Sequence, residues 1–122
     1  MFNIITQEQK KLDIATNIIA REHEIYGYQM NIDNYNQILN LIPVQWPDDL
    51  IKYRHSTQEN LANELSGEIL QQVCDLQFRE VIEGRLKIEI IEQNKSIHVR
   101  NALIRQVPED EIQGLIAQAL QS

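Results

Sequence analysis

Glycine, proline, cysteine and aromatic residues are all scarce in this 122-residue chain, which has 4 Gly, 3 Pro, 1 Cys and 6% aromatic residues. Sandwiches and barrels need many short turns, and so few glycines and prolines leave little to form them. The single cysteine, Cys74, excludes an intramolecular disulfide and is typical of a reducing compartment. The composition therefore predicts a mainly helical, cytoplasmic protein.

Positive charge and long apolar runs are also lacking. The formal net charge of −7 repels nucleic-acid phosphates at long range, and no dense basic cluster is present to bind them. Apolar runs such as Ile18-Ile19-Ala20 are far shorter than the roughly 20 residues of a membrane span. Since 43% of the residues are hydrophobic, we expect one folded domain over residues 1–122 that binds neither nucleic acid nor membrane.

Two long stretches without proline have apolar residues at helical spacing. The first follows a capping-box pattern at Thr6 and Gln9, which predicts a helix over residues 7–42. At 1.5 Å per residue this helix is about 50 Å long, so the sequence predicts an elongated molecule. The second stretch, 68–106, predicts another long helix.

Shorter helices are predicted between the two long ones and after them. Pro47 at a first helical position predicts a helix over 47–54, and a second capping pattern opens another near Thr57. Ser66-Gly67 is a point at which that helix breaks or bends. Pro108 and the acidic residues after it predict a last, amphipathic helix.

Together these segments predict an all-α fold, an elongated antiparallel hairpin of two long helices with a short connecting helix and a C-terminal amphipathic helix. The alternative is an α+β fold with a small hairpin at 86–99, because Leu86 to Ile90 alternate like a strand. A lone hairpin is only marginally stable, and no other convincing strand extends it into a sheet. The continuous helix is therefore favoured.

Each long helix carries two apolar stripes, where a simple hairpin needs one. On the first helix one stripe contains Ile14, Ile18, Ile25, Tyr28, Ile32, Tyr35, Leu39 and Ile42, and the second contains Leu12, Ala15, Ile19, Tyr26, Met30 and Leu41. On the second helix the stripes are Ile69, Val73, Leu76, Leu86, Ile90, Ile97 and Ile104, and Cys74, Phe78, Val81, Ile88, Val99 and Ala102. Gly27 is a candidate kink or close helix crossing.

Uncovered apolar stripes predict an interface with a protein partner or a second copy. The candidate interface residues are Tyr26, Met30, Trp46, Phe78, Val81, Ile88 and Val99. A structural role is the alternative for the aromatic residues, with Trp46 closing the end of the hairpin and Tyr28 and Tyr35 in the core.

No catalytic, cofactor or metal site is predicted. The E-x-x-E pairs Glu80 with Glu83 and Glu89 with Glu92 resemble the acidic metal sites of helical nucleotide hydrolases, but both pairs lie on one predicted helix and point in nearly opposite directions. A solvated acidic surface is favoured. Cys74 is predicted to be a buried structural residue, and His98 is too far along the same helix to activate it.

We therefore predict a non-enzymatic helical interaction protein, such as an assembly accessory, an adaptor or a small inhibitor, that forms homo-oligomers, with a dimer favoured. Its small size without catalytic motifs is consistent with an origin in a phage or other mobile element. The first alternative is a small helical hydrolase or metal-dependent enzyme that uses clustered glutamates. The second is a nucleic-acid mimic whose spaced carboxylates bind a basic protein.

Overall fold

The computed structural model describes residues 2–42, 48–65 and 67–121, and these form five α-helices. The helices are α1 (Phe2–Asn40), α2 (Asp48–Ile51), α3 (Gln58–Glu64), α4 (Gly67–Arg105) and α5 (Glu109–Gln121). None of the described residues lies in a β-strand. The predicted all-α fold is confirmed, and the alternative hairpin at 86–99 is wrong because α4 passes through those residues unbroken.

The first helix begins earlier than the capping pattern predicts. It starts at Phe2 and continues through Thr6, so the predicted start at Thr6 is wrong. Gln9 Nε2 donates to Asp13 Oδ1 at 2.9 Å, one turn further along the helix, instead of reaching back to cap a helix start. The helix ends at Asn40, two residues before the predicted end.

The connector contains less helix than predicted, because α2 gives way to turns after Ile51. Thr57 is the N-cap of α3, and its hydroxyl accepts a hydrogen bond from Asn60 N at 3.3 Å. The predicted helix start near this residue is confirmed. The predicted helix start at Pro47 lies outside the described residues.

The helix that begins near Thr57 ends before α4 begins, and a break at Ser66-Gly67 is one of the two outcomes that the sequence predicts. Leu65 closes α3 with an extended backbone, and its N–H donates to Leu61 O. α4 then begins at Gly67, whose φ of +61° lies in the left-handed region. Residues with a Cβ rarely adopt this backbone conformation, so the junction between α3 and α4 depends on glycine at this position.

The described residues group into two compact units, and the first contains 2–30 and 89–121. Ser96 Oγ donates to Glu24 Oε2 and Arg100 donates to Glu22 Oε1, both at 2.9 Å. As the residue number rises on α4 it falls on α1, so the two helices lie antiparallel in this unit.

The third helix of this unit, α5, is joined to α1 by an ion pair between Lys11 and Glu111 at 3.2 Å. Ala15 and Ile18 of α1 are buried in this unit. They belong to different predicted stripes, so part of each stripe is covered here. Val107, in the turn before α5, is buried as well.

The second unit, residues 31–88, has a small core made by the connector and α4. Leu50 of α2, Leu61 of α3 and Val73 of α4 are buried together, and the partly buried side chains packed against them are Tyr53, Leu65 and Leu70. Ile32, Leu76 and Ile82 are buried in this unit as well.

Two polar side chains of α4 hold the backbone of the connector. Gln77 Nε2 lies within hydrogen-bond distance of three carbonyl oxygens, the closest at 2.7 Å, and they belong to Tyr53, Arg54 and Ser56. Arg79, which is only 17% exposed, donates to Leu39 O at 2.9 Å and to Ile42 O at 3.0 Å. It therefore caps the carbonyl end of α1, whose own last turn has no basic residue.

Three features of the long helices bear on the sequence predictions. Gly27 does not mark a close helix crossing, because a Cβ built there meets nothing within 4 Å. Ile69 and Ile90 are exposed, although the stripe to which they belong also contains the buried Val73 and Leu76. Arg79 also forms an ion pair with Glu83 at 3.0 Å.

Replacing Gly67 with alanine should lower the free energy of unfolding by about 1 kcal/mol, because the Cβ disfavours the positive φ. The added Cβ meets nothing within 4 Å, so the cost is conformational. The control is Gly27→Ala, inside α1 and also open, which should raise the free energy of unfolding by about 1 kcal/mol. Urea unfolding followed by circular dichroism measures both, and a stabilised Gly67→Ala protein would contradict the prediction.

Replacing Arg79 with methionine should lower the free energy of unfolding by about 2 kcal/mol, because two carbonyl oxygens and Glu83 lose a charged donor. Lys87→Met on the exposed side of the same helix is the matched control, with an expected change within about 0.5 kcal/mol. Equal effects of the two substitutions in urea unfolding would show that the cap does not stabilise the fold.

Candidate functional site: exposed apolar helix faces

Three of the predicted interface residues lie on one face of α4 in the second unit. Phe78 is 50% exposed, Val81 is 51% exposed and Ile88 is 59% exposed. Their separations of three and seven residues place them along one side of a helix. We call these three residues the outer stripe of α4.

The outer stripe faces away from the core of its own unit. Ile82 directly follows Val81 in the chain and is only 4% exposed, so the covered surface of α4 begins little more than a quarter turn from Val81. Val73 and Leu76 are also buried, so α4 presents separate inner and outer apolar faces in this unit. The inner face is covered by the fold, and the outer face meets solvent.

Other predicted interface residues belong to the first unit. Tyr26 is 68% exposed and Met30, one turn further along α1, is 50% exposed. Val99 on α4 is also exposed. Trp46, the remaining member of the predicted set, lies outside the described residues. The structure thus divides the described candidates between the two units.

Sequence reasoning missed several exposed apolar side chains. These are Leu41, Ile51, Ile69, Ile90, Ile91 and Leu120. Ile69 and Ile90 were missed because helical spacing groups them with the buried Val73 and Leu76. The pattern alone does not reveal where the covered face of α4 changes as its neighbours change.

The glutamates of the enzyme hypothesis are engaged in separate contacts. Glu80 pairs with Arg54, Glu83 with Arg79, and Glu92 with Lys95. Among the residues whose side chains are described, no group of three or more His, Cys, Asp or Glu lies close enough to hold a metal ion. The convergence of carboxylates that this hypothesis requires is therefore not found in that part of the chain.

The remaining reactive side chains form no site within the described ranges. Cys74 is half-buried, so the prediction of a buried cysteine is wrong in degree. The three histidines, His23, His55 and His98, are all exposed. No pocket is found in the described part of the structure, which leaves the exposed apolar faces as the candidate functional surfaces.

Comparisons with protein-family models, with curated proteins and with solved structures found no match. Within residues 2–42, 48–65 and 67–121, no helix combines the length and the apolar character needed to cross a membrane.

Placing polar side chains on the outer stripe should leave the fold intact. Val81→Gln is expected to change the free energy of unfolding of the dilute protein by no more than about 0.5 kcal/mol, because the side chain is half exposed. Ile82→Gln, one residue further on, should cost at least about 2 kcal/mol because it buries an amide in an apolar site. Urea unfolding at low protein concentration compares them, and a large loss with Val81→Gln would mean that Val81 belongs to the core.

Proposed function

We propose that this protein is a non-enzymatic helical interaction protein that self-associates, with a dimer favoured, through the outer stripe of α4. The observation that carries the proposal is the exposure of Phe78, Val81 and Ile88 on one side of a single helix. Contiguous apolar surface on a folded chain is costly in water and usually marks a binding face.

The physical gain from covering this stripe supports the proposal. Burial of apolar side chains stabilises a complex by roughly 25 cal/mol per Å² removed from water. An aromatic residue such as Phe78 contributes a large part of such a gain, because aromatic side chains bury 150–250 Å² each as a rough range. A stripe on a regular helix also suits a second helix, whose side chains fill the gaps between successive turns.

Within this proposal the chain acts as an assembly accessory, an adaptor or a small inhibitor. Its lone cysteine, Cys74, supports action in the reducing environment of the cytoplasm. A second copy is the favoured occupant of the outer stripe, and a different helical protein is the alternative occupant.

Sedimentation equilibrium of the full chain at micromolar concentrations tests the proposal. We expect the wild-type protein to associate, and Val81→Glu to weaken association at least about tenfold because a carboxylate would be desolvated in the interface. The matched control is Ile69→Glu, since Ile69 is 48% exposed in the same unit but lies off the outer stripe. Position 69 lies in the first turn of α4, where the helix dipole stabilises a carboxylate, so Ile69→Glu should not disturb the fold.

Two results would overturn the proposal. One is a wild-type protein that stays monomeric across the micromolar range. The other is an equal loss of association with Ile69→Glu and Val81→Glu, which would show that the outer stripe is not the interface.

A further inference from the structure

The outer stripe belongs to a longer seam on α4. At alternating spacings of three and four residues this seam contains Gln71, Cys74, Phe78, Val81, Arg85 and Ile88. Such spacing is the pattern with which one helix packs lengthwise against another. The seam lies wholly within the second unit.

Arg85 is the charged member of the seam, and it differs from the other arginines nearby. Arg54 and Arg79 each pair with a glutamate of α4, whereas no ion pair of Arg85 is found among the described residues. Arg85 is exposed beside the outer stripe. A partner that covers this stripe must therefore supply a negative charge or leave a desolvated guanidinium unpaired.

The charges of the segment 71–88 suit pairing with itself. The segment contains three acidic residues and three basic residues, so its formal charge is zero although the whole chain carries −7. Asp75 flanks the seam, and its carboxylate accepts a hydrogen bond from Gln71 at 2.9 Å. No ion pair of Asp75 is found among the described residues, so it is a suitable partner for Arg85 of another copy.

The positions of these residues select an orientation. In a parallel, in-register pair, Arg85 would face Arg85 of the second copy, and like charges in an interface are destabilising. In an antiparallel pair centred between residues 79 and 80, Phe78 lies opposite Val81, Cys74 opposite Arg85, and Gln71 opposite Ile88. The two residues of each pair are equidistant from that centre. Asp75 of each copy then lies beside Arg85 of the other copy.

We infer that two copies of this chain pack antiparallel along residues 71–88 of α4, with Arg85 of each copy paired to Asp75 of the other. The inference rests on the proposed self-association and adds its partner, its orientation and its register. A two-fold symmetric dimer forms this ion pair twice, so a change to either residue alters two contacts that favour this register.

The native cysteine provides a test by cross-linking with a short-arm bis-maleimide at high protein concentration. In the antiparallel pair the two Cys74 residues are about 16 Å apart along the helices, at 1.5 Å per residue, so the wild-type protein should not cross-link. Arg85→Cys should give cross-linked dimers through Cys74 of the other copy. Arg85→Cys combined with Cys74→Ser should not, since its two thiols are again about 16 Å apart.

Charge reversal provides a second test, measured by sedimentation equilibrium. Arg85→Asp and Asp75→Arg should each weaken association about tenfold, because each brings like charges together in both halves of the dimer. The double variant should restore association to within about threefold of wild type, since the pair is re-formed with opposite polarity. Circular dichroism checks that each variant keeps its helix content.

The outcomes distinguish the antiparallel arrangement of residues 71–88 from self-association itself. A monomeric wild-type protein overturns self-association, and the antiparallel seam with it. A wild-type protein that associates but cross-links through Cys74 alone overturns only the orientation. A double reversal that fails to recover association while keeping its helix content overturns only the Arg85–Asp75 register.

Discussion

The fold depends on how the carbonyl groups at the end of α1 and along the connector are satisfied. A helix leaves its last carbonyl groups without internal partners, and a turn exposes more of them. Arg79 and Gln77, only two residues apart on α4, supply donors to five such oxygens. One short segment of α4 thus holds both the end of α1 and the turn between α2 and α3.

This arrangement explains how a small apolar cluster suffices in the second unit. Leu50, Leu61 and Val73 form one buried cluster, and α2 and α3 are too short to be stable as isolated helices. The donors of α4 hold the connector backbone in the place where these side chains meet. Phe78, Val81 and Ile88 of α4 take no part in holding the connector and remain exposed.

Much of the fold could be predicted from the sequence, because long proline-free stretches with helical spacing have few alternatives. The N-terminal boundary could not, since a capping box marks a helix start only where the preceding residues are not helical, and here α1 extends back to Phe2. The apolar stripes could be read from the sequence, but which of them the fold covers could not. On α1 Ile18 and Ile32 of one stripe are buried, whereas on α4 Ile69 and Ile90 are exposed although Val73 and Leu76 of the same stripe are buried, because the covered face depends on which neighbours lie beside each part of the helix.

The outer stripe could be predicted from the sequence as part of the candidate interface. Phe78, Val81 and Ile88 form a second apolar face on a helix that already has one, and a small chain has few elements to cover both. On α1 the same reasoning separates Ala15, which is buried in the unit that contains α5, from Tyr26 and Met30, which are exposed. The sequence contains both faces, but only tertiary packing decides which parts of each remain open.

The net charge of −7 bears on whether such a chain can bind itself. Long-range repulsion between two copies is screened beyond about 8 Å at physiological ionic strength, so charges close to the contact matter most. Residues 71–88 are formally neutral, and the acidic excess lies elsewhere in the chain. Salt therefore acts in two directions, since it weakens the overall repulsion and also weakens any ion pair at the rim of the contact. Because apolar burial is not screened, a contact built on Phe78 and Val81 should keep most of its strength as salt rises.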